Sequence, residues 1–124
     1  MEEIKRLPDS ELEIMKVVWQ YGAITRSDIQ QHIAHKAWKT ATFQALLARL
    51  EEKGFLGHEK QGNTFVYTAC ISREEFYAMQ SERFVEENFS GNLPSFLAAF
   101  TRRRSLSRAE IEEIRRMIDE FEEV

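Results

Sequence analysis

Thr40-Ala41-Thr42-Phe43-Gln44-Ala45-Leu46-Leu47-Ala48-Arg49-Leu50-Glu51-Glu52-Lys53-Gly54 runs directly into Phe55-Leu56-Gly57-His58-Glu59-Lys60, Gln61-Gly62-Asn63 and Thr64-Phe65-Val66-Tyr67-Thr68. Phe43, Leu46, Leu47 and Leu50 recur at helical steps as one narrow apolar stripe, which predicts a helix from about Thr40 to Lys53 ended by Gly54. The opposite side carries Ala41, Thr42, Ala45, Ala48 and Arg49, with no acid before Glu51. A helix that meets only solvent carries a denser mixture of charges. Small, hydroxyl and basic groups suit a face that approaches another surface closely. The two runs that follow favour strand and flank the turn residues Gly62-Asn63, which predicts a β-hairpin.

Upstream lie two shorter helical patterns. Ser10 with Glu13, or Asp9 itself, is placed to cap a first helix whose Leu12, Met15, Val18 and Trp19 share a face and which stops at Gly22. Ala23-Ile24 has room for a single-bridge strand. Thr25 with Asp28 caps a second helix from Arg26 to about Ala34, with Ile29 and Ile33 facing inward. Three short helices followed at once by a hairpin is the order of a winged helix-turn-helix.

Downstream, Ser72 and Glu75 open a helix running to about Phe89, and Ser90-Gly91-Asn92 breaks it. A short helix from Leu93 to Phe100 carries Pro94 in its first turn. Arg102-Arg103-Arg104 reads as a loop of solvated or ion-paired charges. Ser107 and Glu110 cap a last helix with Ile111, Ile114, Met117, Ile118 and Phe121 on one stripe. The fold class is therefore mainly α with a small β-hairpin: a winged helix-turn-helix over 1–71, then a three-helix dimerisation region over 72–124. Three short helices cannot bury this much apolar surface alone. A helix-turn-helix that reads DNA specifically usually presents two copies to half-sites about one turn apart. The expected dimer residues are Phe76, Met79, Phe84, Phe89, Phe96, Phe100, Ile111, Ile114 and Ile118, with packing onto the N-terminal part as the alternative.

Charge and composition bound the function. The formal net charge of the 124 residues is −4, which is unlike a histone-type binder. Residues 1–70 hold nine Lys/Arg and nine Asp/Glu, so the excess acid falls entirely in 71–124. From Arg26 to Lys60 the balance turns positive. The single cysteine, Cys70, allows no intramolecular disulfide and no CxxC metal site, and reads as a small buried filler. His32 and His35 lack a third ligand beside them and read as structural or surface residues; no metal or cofactor is expected. Trp19 and Trp38 read as core and domain-joint residues. The start Met1-Glu2-Glu3-Ile4-Lys5-Arg6 lacks the order of a secretory signal, and no apolar run approaches a membrane span, so a cytoplasmic protein with no membrane partner is expected. With no nucleophile context and no glycine-rich phosphate loop, an enzyme is not expected. A winged-helix module for protein–protein contact is the alternative function; it would present an apolar or acidic third-helix face, unlike this one.

The run Leu12-Glu13-Ile14-Met15-Lys16-Val17-Val18-Trp19, then Trp38, the string from Thr42 to Leu56 and Tyr67, resembles the BlaI/MecI/CopY family of penicillinase-type repressors. The likeness continues through Ser72-Arg73-Glu74-Glu75-Phe76 and Leu106 to Ile114. It implies a homodimeric bacterial repressor on palindromic operator DNA. The family's DNA contacts come from the third helix and the wing. Carried over by position, these imply Ala41, Thr42, Gln44 and Ala45 as base readers and Lys39, Thr40, Arg49, Lys60 and Arg26 as phosphate contacts. Ala41 and Ala45 stand where relatives are often polar, which implies a different operator; alanine still contacts a thymine methyl. The copper-responsive branch carries a cysteine-rich tail, whereas Asp119-Glu120-Phe121-Glu122-Glu123-Val124 has none, so copper sensing by that route is not expected. In the antibiotic-resistance branch a sensor-linked protease leads to cleavage at an Asn-Phe bond. The aligned bond here is Ala99-Phe100, with Phe kept and Asn replaced.

Overall fold

The computed structural model describes residues 6–123; residues 1–5, on which the reading against a secretory signal rests, and residue 124 lie outside them. Packing divides the chain into two compact units, 1–81 and 82–124.

The first unit begins with α1 (Asp9–Tyr21), β1 (Ile24–Thr25) and α2 (Arg26–His32), then a single 3₁₀ turn at Ala34–Lys36. It continues with α3 (Thr40–Glu52), β2 (Leu56–Gln61), β3 (Thr64–Ala69) and the start of α4 (Arg73–Phe89). The expected side-chain cap of α1 is absent. Pro8 precedes the helix and its carbonyl accepts from Leu12 N–H at 2.9 Å, while Ser10 lies inside the first turn. Asp9 and Glu11 there still oppose the positive helix end. α2 ends earlier than expected: Ile33 leaves helical geometry (φ −108°, ψ 13°), a 3₁₀ turn follows, and Ala37 closes that turn in a left-handed conformation (φ 56°). Thr25 caps α2 as expected, accepting from Asp28 N–H at 3.1 Å.

The sheet is antiparallel in the order β1-β3-β2, so the hairpin gains a short third strand. Ile24 pairs with Tyr67 and Thr25 with Val66. Gly62 sits at φ 64° in the two-residue turn, where a side chain would be strained. The core is one cluster. Ile14, Met15 and Val18 of α1, Ile29 of α2, Phe43, Leu46, Leu47 and Leu50 of α3, and Leu56 and Tyr67 of the sheet are all buried. Burying each large aliphatic side chain contributes about 1.5–3 kcal/mol, so the four-residue stripe of α3 fixes which face of that helix remains outside.

Phe76, expected at a dimer face, is instead a core residue: it is 3% exposed, 5.3 Å from the Trp19 ring and edge-on to Phe55 at 5.9 Å. Trp19 Nε1–H donates to the Ile71 carbonyl at 2.9 Å, so α1 holds both the strand exit and the first turns of α4. Cys70 is exposed, contrary to its expected role as a filler, while its backbone N–H pairs with the Phe55 carbonyl at 2.8 Å.

The second unit holds the end of α4, α5 (Leu93–Thr101) and α6 (Arg108–Glu122). Ser90 and Gly91, both at positive φ, break α4 from α5. Phe84, Phe89 and Phe96 form a ring cluster at 5.6–6.0 Å, and Phe100 lies 6.2 Å from Phe96. Ser107 and Glu110 form the expected capping box on α6. The backbone N–H of Ser107 and the Arg104 side chain hold the Glu110 carboxyl below its ordinary pKa. Arg104 reaches Glu110 at 2.7 Å, so one member of the arginine run is ion-paired. No helix among the described residues is long and apolar enough to cross a membrane.

Candidate nucleic-acid interface

The site is built on the face of α3 that the core leaves over. Phe43, Leu46, Leu47 and Leu50 are buried, whereas Ala41, Thr42, Gln44, Ala45, Ala48 and Arg49 are exposed. Helical spacing alone produces the division, because residues one and two positions off a buried stripe must point away from it. The exposed face offers methyls, one hydroxyl and one carboxamide, with a guanidinium in the last turn. No carboxylate lies on the helix before Glu51. Lys39 and Thr40 are exposed at the N-terminal end, where no side chain caps the free amides. Those amides and the positive helix end favour an anion beside Lys39.

The wing supplies the second part. In the β2–β3 register, His58 lies opposite Tyr67 and Lys60 opposite Phe65, so these four side chains share one face of the hairpin. Tyr67 is buried, Phe65 is half-buried, and Lys60, Gln61 and Asn63 are exposed towards the turn. Arg26, at the first position of α2, crosses to this face. Its Nη2 and Nε donate to Tyr67 Oη at 2.9 and 3.3 Å, and its Cζ stands 4.2 Å from the Phe65 ring centroid. The Lys60 ammonium is 5.9 Å from the same centroid. His58 Nδ1 is hydrogen-bonded to the Glu51 carboxylate, and its ring lies 5.1 Å from that of Tyr67. One acid near the end of α3 is thereby occupied by the wing.

Thus Lys39, Thr40, Ala41, Thr42, Gln44, Ala45 and Arg49 lie along the outer side of a single helix. Lys60 and Arg26 converge on Phe65 at the hairpin. The sequence reading placed Arg26 among the phosphate contacts but missed the aromatic residues that hold it. Alternation across the Gly62-Asn63 turn gives the register of Lys60 and Phe65, but nothing in the sequence puts α2 over that face. The reading also missed the pairing of Lys53. Its ammonium donates to Glu11 Oε1 at 2.8 Å and to the Arg6 carbonyl at 2.9 Å, with the Glu11 side chain only 2% exposed. Lys53 therefore ties the end of α3 to the start of α1.

Of the residues expected to dimerise, Phe76 and the half-buried Met79 belong to the first unit. In the second, Phe89, Phe96, Ile111 and Ile114 are half-buried, while Phe84, Phe100 and Ile118 are 42–50% exposed. Leu93, Leu97, Met117 and Phe121 are also exposed, and no described residue of 82–123 is buried. Ala99 and Phe100 lie near the end of α5, both exposed.

A family model described as penicillinase repressor matches residues 7–120. The penicillinase repressor of Bacillus licheniformis is 33% identical over 121 residues, covering 97% of this chain and 94% of that protein. The methicillin resistance regulatory protein MecI of Staphylococcus aureus (strain N315) is 26% identical over 114 residues, 91% of this chain and 93% of its own. The solution structure of the DNA binding domain of the repressor BlaI has 37% identity and a TM-score of 0.53, over 60% of this chain and 93% of its own. The Bacillus licheniformis BlaI monomeric form in complex with the blaP half-operator gives a TM-score of 0.51 at the same identity and coverage.

Proposed function

Because the chain belongs to the penicillinase repressor family, whose members are transcriptional repressors and not enzymes, we propose that it is a cytoplasmic homodimeric repressor that occupies palindromic operator DNA. The observation that carries this reading is the outer face of α3, exposed and free of acid from Thr40 to Leu50. The operator complex of the BlaI relative supports it.

In this reading residues 1–71 bind DNA, and of 72–124 the part beyond the first unit, 82–124, carries the dimer contacts. Thr42 and Gln44 read base edges in the major groove, Gln44 as a bidentate partner for adenine, and Ala41 and Ala45 sit against thymine methyls. Lys39, Thr40, Arg49, Lys60 and Arg26 take phosphates and fix the register without reading sequence. The second unit supplies the dimer surface, because its exposed apolar groups remain in water in a lone chain. Two linked half-sites bind far more tightly than one, since the second docks at high effective concentration. Repression follows from occupying the promoter.

Release follows from loss of the dimer. A sensor-linked protease that cuts Ala99-Phe100 severs α5 before its last two residues and separates the ring cluster from the α6 stripe. The bond lies inside a helix, with the Ala99 carbonyl accepting from Arg102 N–H at 3.3 Å, so the segment must unwind before a protease can bind it in extended form.

The test is selection of fragmented genomic DNA by the purified protein at about 150 mM salt, near physiological ionic strength. The expected product is a short palindrome with half-sites about one helical turn apart. Recovery of nothing above background by folded protein overturns the reading and favours a protein-binding module.

A further inference from the structure

We propose that Phe65 and Tyr67 are positioning residues of the DNA interface. They hold Arg26 and Lys60 as a pair of cations that engages one stretch of sugar-phosphate backbone beside the wing. The proposal rests on the DNA-binding reading above and names residues of the interface that base or phosphate contact alone does not single out.

The two cations come from different elements and meet on one ring. Arg26 opens α2, Lys60 lies on β2, and Phe65 on β3 stands directly across from Lys60. The guanidinium lies 4.2 Å from the ring centroid and the ammonium 5.9 Å, both within reach of the ring's negative face. Tyr67, 2% exposed, accepts at its hydroxyl from Arg26 Nη2 and Nε. That uses two of the five N–H donors of a guanidinium and leaves three for another acceptor. Among the described residues, neither cation forms an ion pair with a carboxylate. The nearest acid in the hairpin register, Glu59, pairs with Val66 and so lies on the other face.

A long cationic side chain normally loses rotamer freedom when it takes up a phosphate. Here part of that ordering is already done by an aromatic face, which attracts the cation without neutralising it. The positive charge therefore stays available while its position is fixed. Because the pair touches only backbone, it raises affinity on all sequences and adjusts the register of α3 in the groove.

The experiment is titration of the full chain and its variants with a mixed-sequence duplex of about 30 base pairs, from 50 to 200 mM salt. Each phosphate contact contributes about 0.9 to the slope of log affinity against log salt. Arg26→Ala and Lys60→Ala should each lower the slope by about 0.9. Phe65→Leu, which keeps both cations, should lower it by about 1.8, so that across this range the wild type loses about 12-fold more affinity than the variant. Phe65→Tyr, which restores the ring, should recover the slope. Tyr67→Phe, which keeps the buried ring and removes only the hydroxyl, should lower it by about 0.9 and serves if Phe65→Leu does not fold by circular dichroism. A folded Phe65→Leu with the wild-type slope overturns the proposal. So do unchanged slopes for Tyr67→Phe or Arg26→Ala, and so does full additivity of Arg26→Ala with Phe65→Leu. A wild type whose binding shows no salt dependence refutes the DNA-binding reading itself.

Discussion

Replacing Lys53 by Met should destabilise the first unit without touching the proposed DNA interface. The Glu11 side chain is 2% exposed and that of Lys53 24%, and their 2.8 Å contact joins the start of α1 to the end of α3. Methionine keeps most of the aliphatic stem but leaves a carboxylate in the protein with no counter-charge. It also frees the Arg6 carbonyl, which accepts from Lys53 at 2.9 Å. Breaking a buried pair by removing one partner costs about 3–5 kcal/mol. The ammonium end is partly in water, which screens the interaction, so the expected loss is about 2–3 kcal/mol. With a urea slope near the low end for small proteins, that moves the midpoint down by about 2 M. Both tryptophans, Trp19 and Trp38, lie in 1–81, so intrinsic fluorescence during urea unfolding reports this unit alone. The double variant Glu11→Leu/Lys53→Met should regain much of the loss, because no buried carboxylate is then left without its counter-charge. A Lys53→Met midpoint within about 0.3 M of wild type, or no recovery in the double variant, would refute the reasoning.

Arg49→Ala should weaken binding equally on all duplexes and lower the salt slope by about 0.9, whereas Lys53→Met should leave the slope alone. Gln44→Ala should instead relax preference at one base pair, by about 1–3 kcal/mol in competition against single-base operator variants. A chain ending at Ile71 loses the buried ring of Phe76 and should be less stable than one ending at Ser81 by about 3–5 kcal/mol in thermal unfolding; the longer piece should sediment as a folded monomer that binds a half-site weakly. Glu110 titrates below its ordinary range in the folded chain, so its contribution is complete above the unfolded carboxyl pKa and fades as pH falls through the lower folded value. Protection factors of the amides at the start of α6, corrected for the intrinsic exchange rate at each pH, should accordingly fall in acid, and Glu110→Gln should flatten that response.

What could be read in advance follows from the range of each interaction. The stripe Phe43, Leu46, Leu47 and Leu50 repeats within a single helix, so periodicity alone gave both α3 and its outer face. Thr25, Ser107 and Glu110 act over three residues, and their caps form as the spacing predicts. Where a local rule met a longer-range contact, the contact prevailed. Ser10 could cap α1, but Pro8 already provides a helix-compatible entry one turn before Leu12. Phe76 lies on the same helix as Phe84 and Phe89. The space between Trp19 and Phe55 takes it into the first core, a contact spanning more than fifty residues on one side. The compact units accordingly divide after Ser81, inside α4, although the composition changes near residue 71. Arg26 was found as a charge, but its aromatic partners lie about forty positions away on β3.

The charge of the chain and its proposed task are reconciled by where the acids sit. The first unit has no net excess of base, so a uniform spread of its charge would give no attraction for phosphate. Glu11 is instead buried against Lys53, and Glu51 is bonded to His58 beside the wing. Glu59 lies on the hairpin face away from Lys60. Each of these acids is directed away from the outer side of α3 or occupied by a neighbour, while Lys39, Arg49, Lys60 and Arg26 keep their positive ends outward or on an aromatic ring. A local potential depends on the nearest few charges, because at physiological salt anything beyond about 8 Å is screened. An acidic protein can therefore present a basic surface over the width of a groove. Two of these four cations, Arg26 and Lys60, share the Phe65 ring, so their charges stand close enough together to add to one local potential.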